Sequence, residues 1–350
     1  TDVNGMVASP WAGTFAVFQN NPGNVTVDAS AGVVSTTGMQ FIGTGWAVAG
    51  APITLSGSGG NTALRVGDGT LGGAAYSATI GAELTGNSRL VKDDLGTLIL
   101  IGTNSYTGGT TIAAGTLQIG NGSMVGAMSG DVLNNGTLAF NRSDVLTFAG
   151  TVGGSGSIRQ IGAGTVTLTG NSGGFTGTTR VESGMLAVNG QLGGSVSVLS
   201  GGTLAGAGNV GTVSVTNGGT LSGVQGQTLT TGGLTLAAGS NVNVALGVPG
   251  NATGLFKVGG NLTLAGMLNV ADAGGFGQGV YRIFDYSGSL TDNGMTVGTI
   301  PTGTGTIQTA MSNQVNLVVD TGGPVPAAQF WNGTTTEADG TIHGGSGIWS

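Results

Sequence analysis

Asn104–Gly120 reads NSYTGGTTIAAGTLQIG. It has no charged side chain, and glycines punctuate short runs of threonine and isoleucine. About seventy residues later Gly173–Gly190 reads GGFTGTTRVESGMLAVNG. With Tyr106 set on Phe175, the pairs Thr107/Thr176, Gly108/Gly177, Thr110/Thr179, Gly115/Gly184 and Leu117/Leu186 coincide. β-branched residues favour extended backbone, and glycine supplies the turns that end it. A phrase of this kind that returns is the mark of a repeated structural unit.

The surroundings have the same texture. Valine or leucine alternates with serine, threonine or asparagine in TVTLTG (165–170), VSVLSGG (196–202), VSVTNGG (213–219), LTLAAG (234–239), VNVALG (242–247), LTLAGMLNV (262–270) and VNLVV (315–319). This alternation predicts half-buried strands, and the Gly-Gly, Asn-Gly and Ser-Gly pairs between them predict turns. No window shows helical spacing of apolar residues. Gly-Thr-Leu recurs at Gly115-Thr116-Leu117, Gly136-Thr137-Leu138, Gly202-Thr203-Leu204 and Gly219-Thr220-Leu221, at intervals of 21 and 17 residues within the two pairs. Such a period accommodates three short strands and three tight turns. One coil cannot bury its inward face alone, but stacked coils make a continuous core. The expected fold is therefore all-β: a right-handed parallel β-helix of about 17 coils, a rod roughly 80 Å long at the ~4.8 Å strand spacing. An antiparallel β-sandwich array is the alternative, and the uneven turn lengths disfavour it. Gly108, Gly115, Gly177 and Gly184 are expected at corners, and Leu100, Ile112, Leu117, Val181 and Leu186 facing inward.

Composition narrows the function. Glycine is 75 of 350 residues, against a usual ~7%, yet mean hydropathy is +0.28 and only 7% of residues are charged. A disordered chain would be poorer in apolar residues and richer in charge. Lys and Arg total eight against 15 acidic residues, a net charge of −7, which argues against a nucleic-acid partner. There is no cysteine, so disulfides, thiolate metal sites and a cysteine nucleophile are out. That fits the cytosol, and equally an exported chain that must stay unlinked while threading a pore. The opening TDVNGMVASPWAG has no basic start and no apolar core of a signal peptide, and the chain reads as an excerpt from a longer protein. Ser183–Phe256 contains no Asp, Glu, Lys or Arg. Like charges stacked coil on coil would repel, so this emptiness fits outward rows of Thr, Ser and Asn.

Candidate chemistry is sparse. His343 is the single histidine, in a glycine-rich turn, and a Ser-His-Asp arrangement would have to use it. Asp93 and Asp94 are adjacent beside Lys92, and Asp285 and Asp292 flank a turn; both pairs read as turn or solvated carboxylates rather than a glycosidase pair. GAGNVG (206–211) matches a dinucleotide fingerprint by letters, but a strand pattern follows where a helix is required; it reads as a coil corner. VGDGTLGG (66–73) is similar to a calcium turn that does not recur. No catalytic, cofactor or metal residue is assigned, no cofactor or small-molecule substrate is expected, and the chain is expected not to be an enzyme. Aromatics cluster at Trp11, Phe15, Phe18, Phe41 and Trp46, at Phe276, Tyr281, Phe284 and Tyr286, and at Phe330, Trp331 and Trp349. They read as filling for wide or capping coils, with a carbohydrate-stacking platform as the other possibility.

The stretch 90–123, LVKDDLGTLILIGTNSYTGGTTIAAGTLQIGNGS, resembles the passenger-associated transport repeat of Gram-negative autotransporters. The copy at 158–188 departs from it: Gly173-Gly174-Phe175 replaces Asn-x-Tyr, Thr178 replaces the second glycine, and Arg180 and Glu182 enter the strand. Residues 64–92 look like a lead-in to such a repeat, 279–303 like a coil group that follows one, and 329–350 like the opening of a further passenger module, which the first nineteen residues look like continuing. The expected divisions are N-terminal coils over 1–88, a repeat-bearing core over 89–255, aromatic-richer closing coils over 256–320, a linker over 321–328 and a new module from 329 to 350. The resemblance implies a passenger of a type V secretion protein, exposed at the cell surface after crossing the outer membrane. It implies adhesion or autoaggregation, or a passive stalk, and an outer-membrane β-barrel elsewhere in the full-length chain. Self-association, or a glycan or protein of a host surface or matrix, are the implied partners.

Overall fold

The computed structural model describes residues 12–322. The described chain winds as a solenoid with three faces. The first face stacks Phe15–Phe18, Gly38–Phe41, Asn61–Val66, Arg89–Asp93, Thr110–Ile112, Val132–Asn134 and Val152–Gly153. The second stacks Asn24–Val27, Trp46–Gly50, Ser77–Ile80, Thr97–Leu100, Thr116–Ile119, Thr137–Phe140, Ser157–Gln160 and Thr178–Val181. On the third face Val34–Thr36, Ile53–Leu55 and Leu84–Thr85 form one sheet, and Val145–Phe148 begins a second that runs to Thr296–Val297. Between the two third-face sheets, the coils over 101–109 and 120–131 cross that face as loops. Gln191–Val198 and Asn209–Val215 round a corner and serve the first and second faces together.

Successive coils pair in parallel, so each strand's alternation is copied upward. The inward column on the second face runs Leu98, Leu117, Leu138, Ile158, Thr179, Val196, Val213, Leu234, Leu262. Its aliphatic members are buried, as are the expected inward residues Leu100, Ile112, Leu117, Val181 and Leu186. Burying a leucine completely contributes about 1.5–3 kcal/mol, which is why a chain this poor in charge-pairing holds together. Of the expected corner glycines, Gly108, Gly115 and Gly177 lie in bends between strands, and Gly184 is the first residue of the strand Gly184–Val188. Gly115 has φ 64° and Gly184 φ 59°, a left-handed backbone that glycine takes without a Cβ penalty.

Three expectations are corrected. The solenoid has about 11 turns, not 17, so its length is roughly 50 Å at ~4.8 Å per rung. The period is not constant. Thr178, Ser195 and Thr212 stack at intervals of 17 residues, but Leu234, Leu262 and Leu290 stack at intervals of 28. The longer coils carry loops over 247–255 and 273–278. Second, the last alternating run does not add another parallel coil: Gln314–Asp320 pairs antiparallel with both Gly279–Tyr286 and Thr304–Gln308, closing the C-terminal end as a hairpin. Third, Asp94 lies in a turn, as expected, but is not solvated. It is 8% exposed, with φ 68° and an ion pair to Arg65 at 3.2 Å.

The N-terminal end differs. Among the described residues no strand stacks beyond Phe15–Phe18, and the interior opens there as a cavity of about 560 Å³ lined by Ala16, Val25, Val27 and Met39. No helix among the described residues is long and apolar enough to cross a membrane.

Candidate interaction surface

The repeated phrase builds a corner. In the first copy the Asn104 side chain is buried; its oxygen accepts from the Leu84 amide at 3.1 Å, and its nitrogen donates to the carbonyls of Gly102 and Ala127. Tyr106 lies wholly inside, with its hydroxyl 2.8 Å from the Thr110 Oγ1. Burial pushes the Tyr106 phenol up to about 12. The second copy keeps the apolar part and loses the polar part. Phe175 is buried at the tyrosine's place, and the Thr179 hydroxyl, at the place of Thr110, is buried without a hydrogen-bond partner.

The two copies sit on different faces. Thr110–Ile112 of the first belongs to the first face, because it pairs with Arg89–Asp93. The corresponding Thr178–Val181 pairs with Ser157–Gln160 on the second. Gly-Thr-Leu behaves likewise: Thr116 and Thr137 stack on the second face, Thr203 and Thr220 on the third. The phrase encodes a corner and a strand, not a direction.

Sequence reading missed one element of the corner. Lys92 is completely buried, and its ammonium donates to the carbonyls of Asp93, Asp94 and Ala114 at 2.9, 2.7 and 3.1 Å. Desolvation lowers it to about 8, against the opposing pull of Asp93 and Asp94. Gln160 takes this role in the second copy, donating to the Gly162 and Gly164 carbonyls. The alternation Leu90-x-Lys92 and Ile158-x-Gln160 already placed both side chains inside.

Outside, the second face carries a hydroxyl ladder. Ser77, Thr97, Thr116, Thr137, Ser157, Thr178, Ser195 and Thr212 stand in register on successive coils, and the Ser157 and Thr178 hydroxyls are 3.1 Å apart. Two residues along, a second row runs Ser197, Ser214, Thr235, Thr263, Thr291. One charged cluster interrupts. Arg159 and Arg180 stack directly, and Glu182 offsets one of the two charges, bidentate to Arg159 at 2.8 Å and 3.5 Å from Arg180. Hydrogen bonding from Arg159 holds the Glu182 carboxyl below its usual range.

The remaining candidates fall into place as structural groups. Asp93 lies beside Asp94 at the corner that Lys92 pins. Asp285 pairs with Arg282 and accepts from the Gly254 amide, whereas Asp292 accepts from the Gly294 amide and the Thr309 hydroxyl. Asp68 closes its own turn, accepting from Thr70, which lowers its pKa. Gly206–Gly211 runs through a corner into the strand Asn209–Val215, as expected. No group of three or more acidic or histidine side chains suited to a metal occurs among the described residues. His343, Trp11, Phe330, Trp331 and Trp349 lie outside the described residues. Phe41, Phe256, Tyr281 and Phe284 are wholly buried, so these aromatics serve the core.

Residues 90–119 and 158–188 match the passenger-associated-transport-repeat. Over 146 residues, 40% of this chain, the sequence is 49% identical to the Adhesin BmaC autotransporter of Brucella suis biovar 1 (strain 1330). The matched stretch is 4% of that protein's length.

Proposed function

We propose that this chain is a segment of an autotransporter passenger, exported across the Gram-negative outer membrane to the cell surface, and that it is a non-catalytic adhesive module. It associates with its own kind, or with a host surface, through its sparsely charged outer faces. The observation that carries this is the hydroxyl ladder from Ser77 to Thr212, continued by the row that ends at Thr291. Each rung offers one weak donor and acceptor at a fixed spacing. Repetition along the rod turns weak contacts into avidity. The absence of charge over Ser183–Phe256 lets two such faces approach without repulsion. The similar Brucella protein is itself named an adhesin. In the full-length protein an outer-membrane β-barrel would hold the rod at the surface.

Analytical ultracentrifugation at micromolar concentrations tests this. The module is expected to associate with increasing concentration, and Thr212→Glu, which sets a charge on the exposed ladder, is expected to weaken association at least tenfold. The second reading is a stalk, favoured by the unbroken column from Leu98 to Leu262. A strictly monomeric rod, inert toward host surfaces, would select the stalk.

A further inference from the structure

The third face holds a feature the ladder does not explain. A groove of about 540 Å³ lies over the strands Thr220–Val224, Asn241–Leu246 and Met267–Asp272. No charged side chain lines it. Its floor is a polar row in register: Ser222 on Asn243 on Asn269. The Asn269 amide donates to the Asn243 oxygen at 3.0 Å, and the Asn269 oxygen accepts from the Thr299 amide at 3.1 Å. That chain of bonds fixes both amide orientations. It leaves the Asn243 amide nitrogen and the Ser222 hydroxyl without a protein partner among the described residues. Beside this row runs an apolar one, Val224 on Ala245 on Ala271.

The groove also sits where the coil outline breaks. The strands Asn241–Leu246 and Met267–Asp272 each end in an inserted loop, and the two loops are tied together. Gln225 donates to the Val248 carbonyl at 2.8 Å and accepts from the Gly247 amide. The Tyr281 hydroxyl accepts from the Gly277 amide at 2.9 Å and lies 3.2 Å from the Gly247 carbonyl, with Phe276 stacked on its ring at 5.1 Å. A plain spacer coil, such as the one from Ser195 to Thr212, has no such additions.

We propose that this groove binds a neutral saccharide. An amide or hydroxyl that both donates and accepts matches the hydroxyl pairs of a sugar, and the Val224–Ala245–Ala271 row suits its C–H face. An anion would find no cation there. This specifies the ligand class of the adhesive reading and rests on it.

The test is titration of the 350-residue chain with neutral tri- and tetrasaccharides of glucose, galactose and N-acetylglucosamine, read by ligand-observed NMR. At least one is expected to bind. Asn243→Ala/Asn269→Ala is expected to weaken it at least tenfold with an unchanged far-UV spectrum, and Ala271→Leu, which narrows the groove from an exposed position, to do the same. Thr97→Ala, on the distant ladder, is expected to bind as the parent does. No binding by any of these sugars, equal binding by the groove variants, or tighter binding of an anionic counterpart would overturn the proposal. Self-association that survives the groove variants while sugar binding is lost leaves both readings standing on separate faces. Sugar binding by a chain that neither associates nor adheres keeps the groove and overturns the adhesive reading.

Discussion

Thr179 and Thr110 occupy the same place in the two repeat copies and should respond oppositely to the same substitution. Valine replaces the hydroxyl with a methyl at nearly constant volume. At Thr179 the hydroxyl is buried, has no partner, and stands in an otherwise aliphatic column between Ile158 and Val196. An unsatisfied buried hydroxyl costs about 1–3 kcal/mol, so Thr179→Val is expected to raise stability by about 1–2 kcal/mol. At Thr110 the hydroxyl meets Tyr106 at 2.8 Å. Thr110→Val loses that bond and strands the phenol, at a cost of about 1–3 kcal/mol. The double variant Tyr106→Phe/Thr110→Val removes both polar groups and should recover most of this loss. Urea unfolding followed by far-UV circular dichroism gives the values if the rod unfolds in one step. Hydrogen exchange at the amides of the affected coils gives them if coils open separately. Destabilisation by Thr179→Val as large as that by Thr110→Val would refute the reasoning.

Further outcomes follow from other positions. Lys92 titrates near 8 in the folded chain and near its ordinary 10.5 when unfolded. The unfolded state therefore binds more protons between those values, and stability should rise with pH from 8 toward 10, by up to about 3 kcal/mol. Lys92→Met should flatten that rise in a series of urea midpoints. Glu182 acts with the same sign at lower pH: its folded pKa is depressed from 4.5, so its stabilisation is present above that value and lost as pH falls through the depressed folded value. Glu182→Gln should abolish that acid-side loss and leave Arg159 and Arg180 repelling, with a stability that now increases with salt. Leu117→Ala, in the middle of the buried column, should cost about 2–5 kcal/mol; a cost within ~0.5 kcal/mol would break the register. Gly115→Ala would aim a Cβ at the Asp94 carbonyl from a backbone at φ 64°. It should destabilise by at least about 1 kcal/mol, measured in the same unfolding experiment.

The parts legible in sequence were those fixed by alternation and turn chemistry. Leu117 and Leu186 pointed inward because their neighbours alternate, and Gly115 and Gly184 turned because no other residue takes that backbone freely. The number of turns was not legible, because a period of 17–21 read from central coils says nothing of the 28-residue coils from Leu234 to Leu290. Direction was not legible either: Gln314–Asp320 alternates like any strand, and only the short turn over 309–313 makes it fold back. The burial of Asp94 was not legible, because its partner Arg65 lies one coil away and 29 residues earlier. The groove had no local signature. Ser222, Asn243 and Asn269 are ordinary polar positions until unequal coil lengths bring them into one column.

The rotation of the repeat copies sets a geometry for encounter. A copy returning after a whole number of coils would show the same side of the rod each time, and one rod lying on a flat partner would meet every copy at once. Here the offset carries Thr110–Ile112 and Thr178–Val181 to different azimuths. A planar partner thus meets one copy and sees the other turned away. Two of the rod's three faces therefore carry a copy. The chain spacing between repeats acts as an angular coordinate, setting which side of the rod each copy occupies.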